Sequence, residues 1–202
     1  MRVLVEIPSG GTPSRDSWVG PWTHPSHGSE EGTLMYTKQN YIDSVAHETN
    51  VIKHIYSKAT PAQADYRPAE GIRSNLELAQ YLAYSAIVPT KCLLDGDWST
   101  AGDLLEESST MKWEEFPARM DAQLEAVKKM MADVPDGDLL SREAPMPWGV
   151  NVPLGAGLID STVKFMSSYR LQFFNNVKIS APADAPGKKM GTANAWLGVD
   201  QP

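Results

Sequence analysis

The feature that most constrains the fold is a helical period in the apolar residues, which recurs in four segments from residue 41 onward. In each segment, apolar side chains return every three or four positions, which places them on one face of an α-helix. None of the four alternates apolar and polar residues, the pattern typical of a half-buried strand. The sequence therefore predicts an all-α, antiparallel four-helix bundle in which each helix buries one apolar stripe.

The first two helices have recognisable ends. The first begins near Tyr41 and ends before Pro61. The second begins after Ser74, a good N-cap residue, and Glu77 three positions later completes a capping box. We expect this helix to run through an apolar stretch and to end before Pro89. The stripe of the first helix contains Ile42, Val45, Thr49, Ile52 and Tyr56.

The third and fourth helices follow a crossover connection, residues 89–110, that contains one short helical piece. Pro117 fits only the first turn of the third helix, where a backbone N–H has no intrahelical partner. From Ser180 onward, a chain rich in Pro and Gly predicts a coil tail. The third stripe contains Phe116, Met120, Leu124 or Gln123, Val127 and Met131. The fourth contains Leu158, Thr162, Phe165, Tyr169, Phe173 and Val177.

Residues 1–34 differ in composition from the rest, because half of them are Gly, Pro, Ser or Thr and they show no sustained period. Such a segment buries too little apolar surface to offset the entropy lost on ordering. We therefore predict a flexible N-terminal arm over residues 1–34 that is not part of the functional unit. Residues 35–202 then form the helical domain.

Charge and cysteine content restrict the partners and the compartment. The chain has 18 Lys+Arg against 25 Asp+Glu, a formal net charge of −7, and its cations are scattered. Nucleic acid and membrane surfaces are therefore not expected as partners. The single cysteine, Cys92, cannot form an intramolecular disulfide, and no apolar run is long enough to span a membrane. These features favour a cytoplasmic protein.

Four short pieces between residues 36 and 180 carry a shared motif pattern, namely Asp65-Tyr-Arg-Pro-Ala-Glu-Gly-Ile-Arg-Ser74, Glu77-Leu78, Trp113-Glu-Glu-Phe-Pro-Ala-Arg119 and Tyr169-Arg-Leu-Gln172. Together they resemble the DinB-like family of four-helix bundles. The resemblance implies a bundle whose centre typically holds three histidines, one on the second helix and two at an i, i+4 spacing on the fourth. Those histidines usually bind a divalent metal such as zinc or nickel, and some members are thiol-dependent transferases or isomerases.

The positions that the resemblance assigns to metal ligands carry aromatic residues instead. The ligand of the second helix falls at Tyr81 or, one turn later, at Tyr84, and the pair on the fourth helix falls at Phe165 and Tyr169. Phenylalanine has no donor atom, and neutral tyrosine is a poor ligand at neutral pH. We therefore predict no metal or other cofactor, with zinc or nickel as the alternative. The four rings form either a packed aromatic core or a tyrosine-lined pocket for a small ligand.

Two classes of function remain open. The first is a small-molecule-binding or protein-interaction module, which we expect to be a homodimer. The second is a metal- or thiol-dependent transferase or isomerase, with tyrosine hydroxyls as acid or base groups. An open pocket lined by two or more of Tyr81, Tyr84 and Tyr169 would support this enzyme. Close packing of the rings with Phe165 would leave no room for a substrate.

Several polar residues are expected to support the bundle. Arg73 fixes the turn into the second helix, and Arg170 and Gln172 form hydrogen bonds or ion pairs at the edge of the bundle. His47 and His54 share a face of the first helix opposite its stripe, so we expect both to face solvent. The catalytic alternative would take its ligands from these histidines or from carboxylates.

Three tryptophans lie in loops or at helix starts, namely Trp113, Trp148 and Trp196. Large aromatic side chains in such places either cap the core or present apolar surface to a partner. We expect the three to cover one end of the bundle, where their exposed parts would form a dimer surface or the rim of a pocket.

Overall fold

The computed structural model of the protein describes residues 36–200. The predicted arm over residues 1–34 and its boundary lie outside this range, so both stay predictions. The described chain forms ten α-helices and one antiparallel β-hairpin. The helices are α1 (Lys38–Ser57), α2 (Asn75–Leu82), α3 (Ile87–Asp95), α4 (Ala101–Ser108), α5 (Phe116–Met131), α6 (Asp138–Ser141), α7 (Leu154–Leu158), α8 (Lys164–Ser180), α9 (Pro186–Lys189) and α10 (Thr192–Trp196). The strands are β1 (Glu143–Pro145) and β2 (Asn151–Pro153), with Ala144 opposite Val152.

Four long helical segments form the bundle: α1, α2 with α3, α5, and α7 with α8. Lys38 near the start of α1 bonds to Asp136 beyond the end of α5, and Lys53 pairs with Asp121 near the start of α5. These two helices are therefore antiparallel. The second segment also runs antiparallel to the fourth, because α2 packs against α8 and α3 packs against α7. The predicted all-α antiparallel bundle is confirmed.

The crossover between the second and third segments makes those two segments parallel neighbours. Tyr84 on the second segment contacts Arg119 on the third. Further along both segments, Ile87 contacts Gln123. The crossover contains α4, which corresponds to the predicted short helical piece. A connection of this length is needed because two parallel helices cannot be joined by a tight turn.

The second segment is interrupted, contrary to the prediction of one helix that ends before Pro89. Residues 83–86 form a turn, and Pro89 lies in the first turn of α3, where proline needs no N–H partner. The side-chain amide of buried Gln123 bonds to backbone groups at the interruption. Its Oε1 accepts from the N–H of Ala86 at 2.8 Å, and its Nε2 donates to the carbonyl of Leu82 at 3.1 Å. Gln123, rather than Leu124, is therefore the buried residue of the third stripe.

The fourth segment contains a π-helical turn, Ile159–Val163, between α7 and α8. A π turn holds one extra residue and rotates all later side chains around the helix axis. The predicted stripe holds at Leu158, Thr162, Phe173 and Val177, but the buried face differs from the prediction just after the turn. Phe165 is 38% exposed, whereas Arg170 is 3% exposed, so the predictions of a core Phe165 and of an edge Arg170 were both wrong. The buried residues of α8 are Met166, Arg170, Phe173, Phe174, Asn176 and Val177.

The C-terminal segment is not the coil that its composition predicts, because it forms α9 and α10 and returns along α1. Gly187 lies so close to the end of α1 that an added Cβ would meet the carbonyl oxygen of Lys58 at 2.8 Å. Gly198 adopts a φ of +65° against the backbone of Val51. Tertiary contact with α1 therefore orders a segment with little helical propensity of its own.

Candidate small-molecule pocket

A cavity of about 180 Å³ lies where α2 gives way to α3, beside the crossover and the start of the fourth segment. Its wall is mainly apolar and is rich in aromatic rings. Cavities that bind small molecules are typically lined in this way, with few polar groups. The lining residues are Tyr81, Tyr84, Ser85, Val88, Pro89, Trp98, Ala101, Leu105, Pro147, Trp148, Ser161 and Phe165.

The cavity has a buried floor and an open rim. Tyr84, Ser85 and Val88 are each less than 9% exposed and belong to the floor. Trp148 is 58% exposed and Phe165 is 38% exposed, so both stand at the rim. The cavity is therefore accessible from solvent on the side of these two rings.

Two irregularities of the helices bring the wall together. The turn between α2 and α3 contains Tyr84 and Ser85, which both line the cavity. The π turn places Ser161 and Phe165 on the opposite wall. Trp98, in the crossover, is fixed by its indole N–H, which donates to the carbonyl of Pro145 at 2.7 Å. Single-turn π insertions occur frequently at functional sites.

The polar groups of the wall bond mostly within the protein. The hydroxyl of Ser85 donates to the carbonyl of Leu82 at 2.9 Å, and that of Ser161 donates to the carbonyl of Gly157 at 2.6 Å. The hydroxyl of Tyr84 donates to a carboxylate oxygen of Glu107 at 3.3 Å. Since these hydrogens are already used, the wall presents a mainly apolar surface to a ligand.

The predicted pocket residues are partly brought together. Tyr81, Tyr84 and Phe165 line the cavity, whereas Tyr169 is not in its wall and packs against Tyr81 with 4.5 Å between ring centroids. Tyr169 also lies 6.3 Å from Phe165, centroid to centroid. The guanidinium of Arg73 stacks over Tyr81, with its carbon 4.6 Å from the ring centroid. The arrangement is thus a pocket with an aromatic wall, not a closed aromatic core.

The cavity meets the geometric condition for the catalytic alternative, since two of the three tyrosines line it. Burial, with a smaller contribution from the neighbouring Tyr169, raises the pKa of Tyr81 above its ordinary value of 10.0. Burial, followed by the nearby Glu107 carboxylate, raises the pKa of Tyr84 in the same direction. Both side chains are therefore protonated at neutral pH, and they can donate a proton but cannot act as bases.

The residues at the positions where DinB-like proteins carry histidines do not fit a divalent metal. Phe165 offers no donor atom, and the raised pKa of Tyr81 and Tyr84 disfavours the phenolate form that a metal needs. Within residues 36–200, no group of three or more His, Cys, Asp and Glu residues could hold a metal ion. The prediction that the protein works without a metal stays a prediction.

Arg170 forms an ion pair, as predicted, but the pair is buried and does not lie at the edge of the bundle. One guanidinium nitrogen lies 3.2 Å from a carboxylate oxygen of Glu48, and both side chains are less than 10% exposed. The guanidinium carbon also lies 5.1 Å from the ring centroid of Trp196. Burial, opposed by Arg170, raises the pKa of Glu48. The π turn hid this pair, because it rotates Arg170 onto the buried face. Gln172 is half-buried on the same helix.

The two histidines of α1 face the C-terminal segment. His47 is exposed, as predicted, and its Nε2 lies 3.1 Å from the carbonyl oxygen of Trp196. His54 is only partly exposed, contrary to the prediction, because its Nε2 lies 3.2 Å from the amide of Asn194 and 3.5 Å from the carboxylate of Asp200. Both residues lie outside the cavity wall.

The three tryptophans do not cover one end of the bundle together. Trp148 stands at the cavity rim, and the rim of a pocket is one of the two roles predicted for the tryptophans. Trp113 is buried against Tyr56, with 4.9 Å between ring centroids, and Trp196 lies over Arg170. Trp98, which the sequence analysis did not single out, lines the cavity instead. Because Trp98 lies in the crossover and not in a periodic helix, the sequence pattern did not identify it. Only the tertiary structure shows that it belongs to the cavity wall.

Comparison with solved structures identifies the class of fold. A DinB-like protein from Bacillus subtilis, YjoA, superposes with a TM-score of 0.57 over 72% of this chain and 94% of that one, at 16% sequence identity. The chain therefore has the DinB-like fold, as its short motifs predict. No family model and no curated protein matches the sequence. Among the described residues, none of the helices combines the length and apolar character needed to cross a membrane.

Proposed function

We propose that this DinB-like protein binds a small, mainly apolar molecule in the cavity between the α2–α3 turn and the π turn. The observation that carries the proposal is an apolar, aromatic cavity of about 180 Å³ with a buried floor and an open rim. An apolar cavity of about 150 Å³ in another protein stays dry and binds benzene. The volume therefore suits a ligand with a single ring.

The energetic cost of such a cavity supports a functional reason for it. Apolar side chains that line an unfilled space lose packing contacts with neighbouring atoms. Here the space is created by two separate departures from regular helix, the α2–α3 turn and the π turn, and the buried Gln123 amide compensates the first of them. A ligand that fills the space would recover the lost packing energy.

Ligand binding can be tested by filling the cavity. Ala101 lines the cavity from α4, whereas Ala126 lies on α5, outside the wall, and is likewise partly buried. Benzyl alcohol, a neutral one-ring probe, should raise the melting temperature of the wild-type protein and of Ala126→Phe, but not that of Ala101→Phe. Isothermal titration calorimetry should likewise detect binding of benzyl alcohol to the wild type and to Ala126→Phe, but not to Ala101→Phe. Equal binding by all three proteins would contradict the proposal.

The second candidate function is catalysis in the same cavity, with tyrosine as a proton donor and a thiol as co-substrate. It is favoured by the position of Tyr81 and Tyr84 in the wall. Glutathione and smaller thiols, added with 2-cyclohexenone as a one-ring electrophile, should then form the conjugate adduct, in which the sulfur bonds to the β carbon, a tyrosine hydroxyl gives its proton to the enolate and the thiol proton restores the tyrosine. The rate at which this adduct appears should fall in Tyr81→Phe while binding of benzyl alcohol is retained. Absence of any product over a panel of such pairs would leave ligand binding as the function.

We further propose that the protein is a cytoplasmic homodimer and works without a metal. Cys92 is a buried free thiol, and Leu140 and Val150, which lie outside the cavity wall, expose apolar side chains on which a second copy can pack. Light scattering should give twice the chain mass of 22.1 kDa. A chelator-removable, stoichiometric zinc or nickel ion in the purified protein would overturn the metal-free proposal.

A further inference from the structure

A cation whose position is fixed by aromatic rings stacks on Tyr81, one of the residues that line the cavity. The guanidinium carbon of Arg73 lies 4.6 Å from the ring centroid of Tyr81 and 5.5 Å from that of Tyr169. Tyr81 is itself part of the cavity wall and is partly exposed. Stacking on two rings holds the charge of an otherwise mobile side chain beside the cavity while leaving its N–H groups in solvent.

Two carboxylates lie within four positions of Arg73 in sequence. Glu70 forms no ion pair with Arg73 among the described residues, and Glu77 is already engaged by another arginine. The carboxylate of Glu77 accepts from Arg67 at 2.7 Å and from the backbone N–H of Ser74 at 2.8 Å. The ion pairs of the described residues do not include Arg73. Arg73 therefore keeps donors available for an anion, in the fork geometry that suits a carboxylate.

The interior of the cavity cannot accept the charged end of a ligand. The hydroxyls of Ser85 and Ser161 donate to backbone carbonyls, and the indole N–H of Trp98 does the same. An ionised group placed among the apolar wall atoms would lose its hydration without replacement. A charged ligand must therefore bind with its ring inside and its charge at the rim.

We propose that the ligand of the cavity is a one-ring carboxylic acid, whose ring fills the space between Tyr84, Val88 and Phe165 and whose carboxylate pairs with Arg73. This inference rests on the proposed function and specifies the chemical class of the ligand. The ring supplies the affinity through burial of apolar surface, and the ion pair at the rim supplies the orientation and the selection against neutral molecules.

Calorimetry with two matched probes tests the inference on the full chain. Benzoate and benzyl alcohol share the ring and differ in charge at neutral pH. Benzoate should bind the wild-type protein about tenfold more tightly than benzyl alcohol, and Arg73→Gln should remove that advantage, since a charge-assisted hydrogen bond accounts for such a factor. Arg73 is exposed, so this variant is expected to fold. Lys129→Gln, which removes an equally exposed charge on α5, should bind both probes as the wild type does.

The outcomes separate the two proposals. If benzyl alcohol binds as tightly as benzoate, and Arg73→Gln changes neither affinity, the ligand is not an acid and only the proposed function stands. If benzoate binding falls equally in Lys129→Gln, the effect is one of net charge and the inference is wrong. If neither probe binds the wild type, the inference and the proposed function both fail.

Discussion

At the residue scale, Arg170 shows how far position outweighs residue type. An arginine is usually exposed, yet the π turn carries this one into the core, where Glu48 neutralises it and Trp196 covers it. The pair is incompletely bonded, because the Arg170 Nε and one Glu48 carboxylate oxygen lack hydrogen-bond partners within the described chain. Such a pair contributes little net stability, but each member depends on the other.

Removal of one partner of this pair should therefore be costly. Arg170→Met leaves the Glu48 carboxylate buried without a counter-charge and should lower the free energy of unfolding by about 3–5 kcal/mol. Glu48→Met with Arg170→Met should recover most of this loss, because two apolar side chains replace two charges. Urea unfolding of the single and double variants measures the coupling, and additive losses would show that the two charges act independently.

At the element scale, local signals set the start of α2. Ser74 accepts from the N–H of Glu77 at 3.2 Å, and the Glu77 carboxylate accepts from the N–H of Ser74, as the predicted capping box requires. Such signals are readable because all partners lie within four residues. The α2–α3 break is different, because the amide that stabilises it comes from Gln123 on another helix.

The capping box should give the protein a measurable dependence on pH. The Arg67 hydrogen bond, followed by the bond from the Ser74 backbone, lowers the pKa of Glu77 below its ordinary value of 4.5. A lowered carboxyl pKa stabilises the folded state above pH 4.5, and this contribution disappears as the pH falls through the folded-state pKa. In thermal unfolding, the melting temperature of the wild type should be higher than that of Glu77→Gln at neutral pH. The two melting temperatures should become equal in acid. A constant difference at all pH values would contradict this assignment.

At the scale of the whole molecule, the C-terminal segment joins the ends of two bundle helices. A Cβ added to Gly187 of α9 would meet the carbonyl oxygen of Lys58 beyond α1, the side chain of Val177 on α8 and that of Ala181 just beyond α8, so the backbone of α9 lies close to both helix ends. Further along, Lys58 pairs with Asp200 at 2.7 Å. The segment is thus held by contacts distant in sequence, and it covers the face of α1 that carries His54.

Substitution of Gly187 tests this packing. The Cβ of Gly187→Ala would approach a backbone oxygen too closely, so the segment must shift, and we expect a loss of about 1–3 kcal/mol in the free energy of unfolding. Gly102→Ala on α4 is the matched control, since its Cβ would meet open space. That variant should be neutral or stabilised by about 0.5–1 kcal/mol, as expected for glycine replaced within a helix. Equal stability of the two variants would mean that the C-terminal segment packs loosely.

The candidate site was predictable only in part, for a specific reason. The sequence identified Tyr81, Tyr84 and Phe165 through their match to ligand positions of the DinB-like family, and the structure places all three in one cavity wall. It gave no signal for Trp98 or Ser161, which lie in the crossover and in the π turn. Periodicity assumes an unbroken helix, so it fails where a helix changes its phase.

By itself, the sequence determined the all-α bundle, the start of α2 and the stripes of α1 and α5, because these depend on residues three or four positions apart. Only the tertiary structure decided the α2–α3 break, the burial of Arg170, the course of the C-terminal segment and the existence of the cavity. Each of these requires a partner from a distant part of the chain. The energy of that contact, rather than local preference, fixes the conformation.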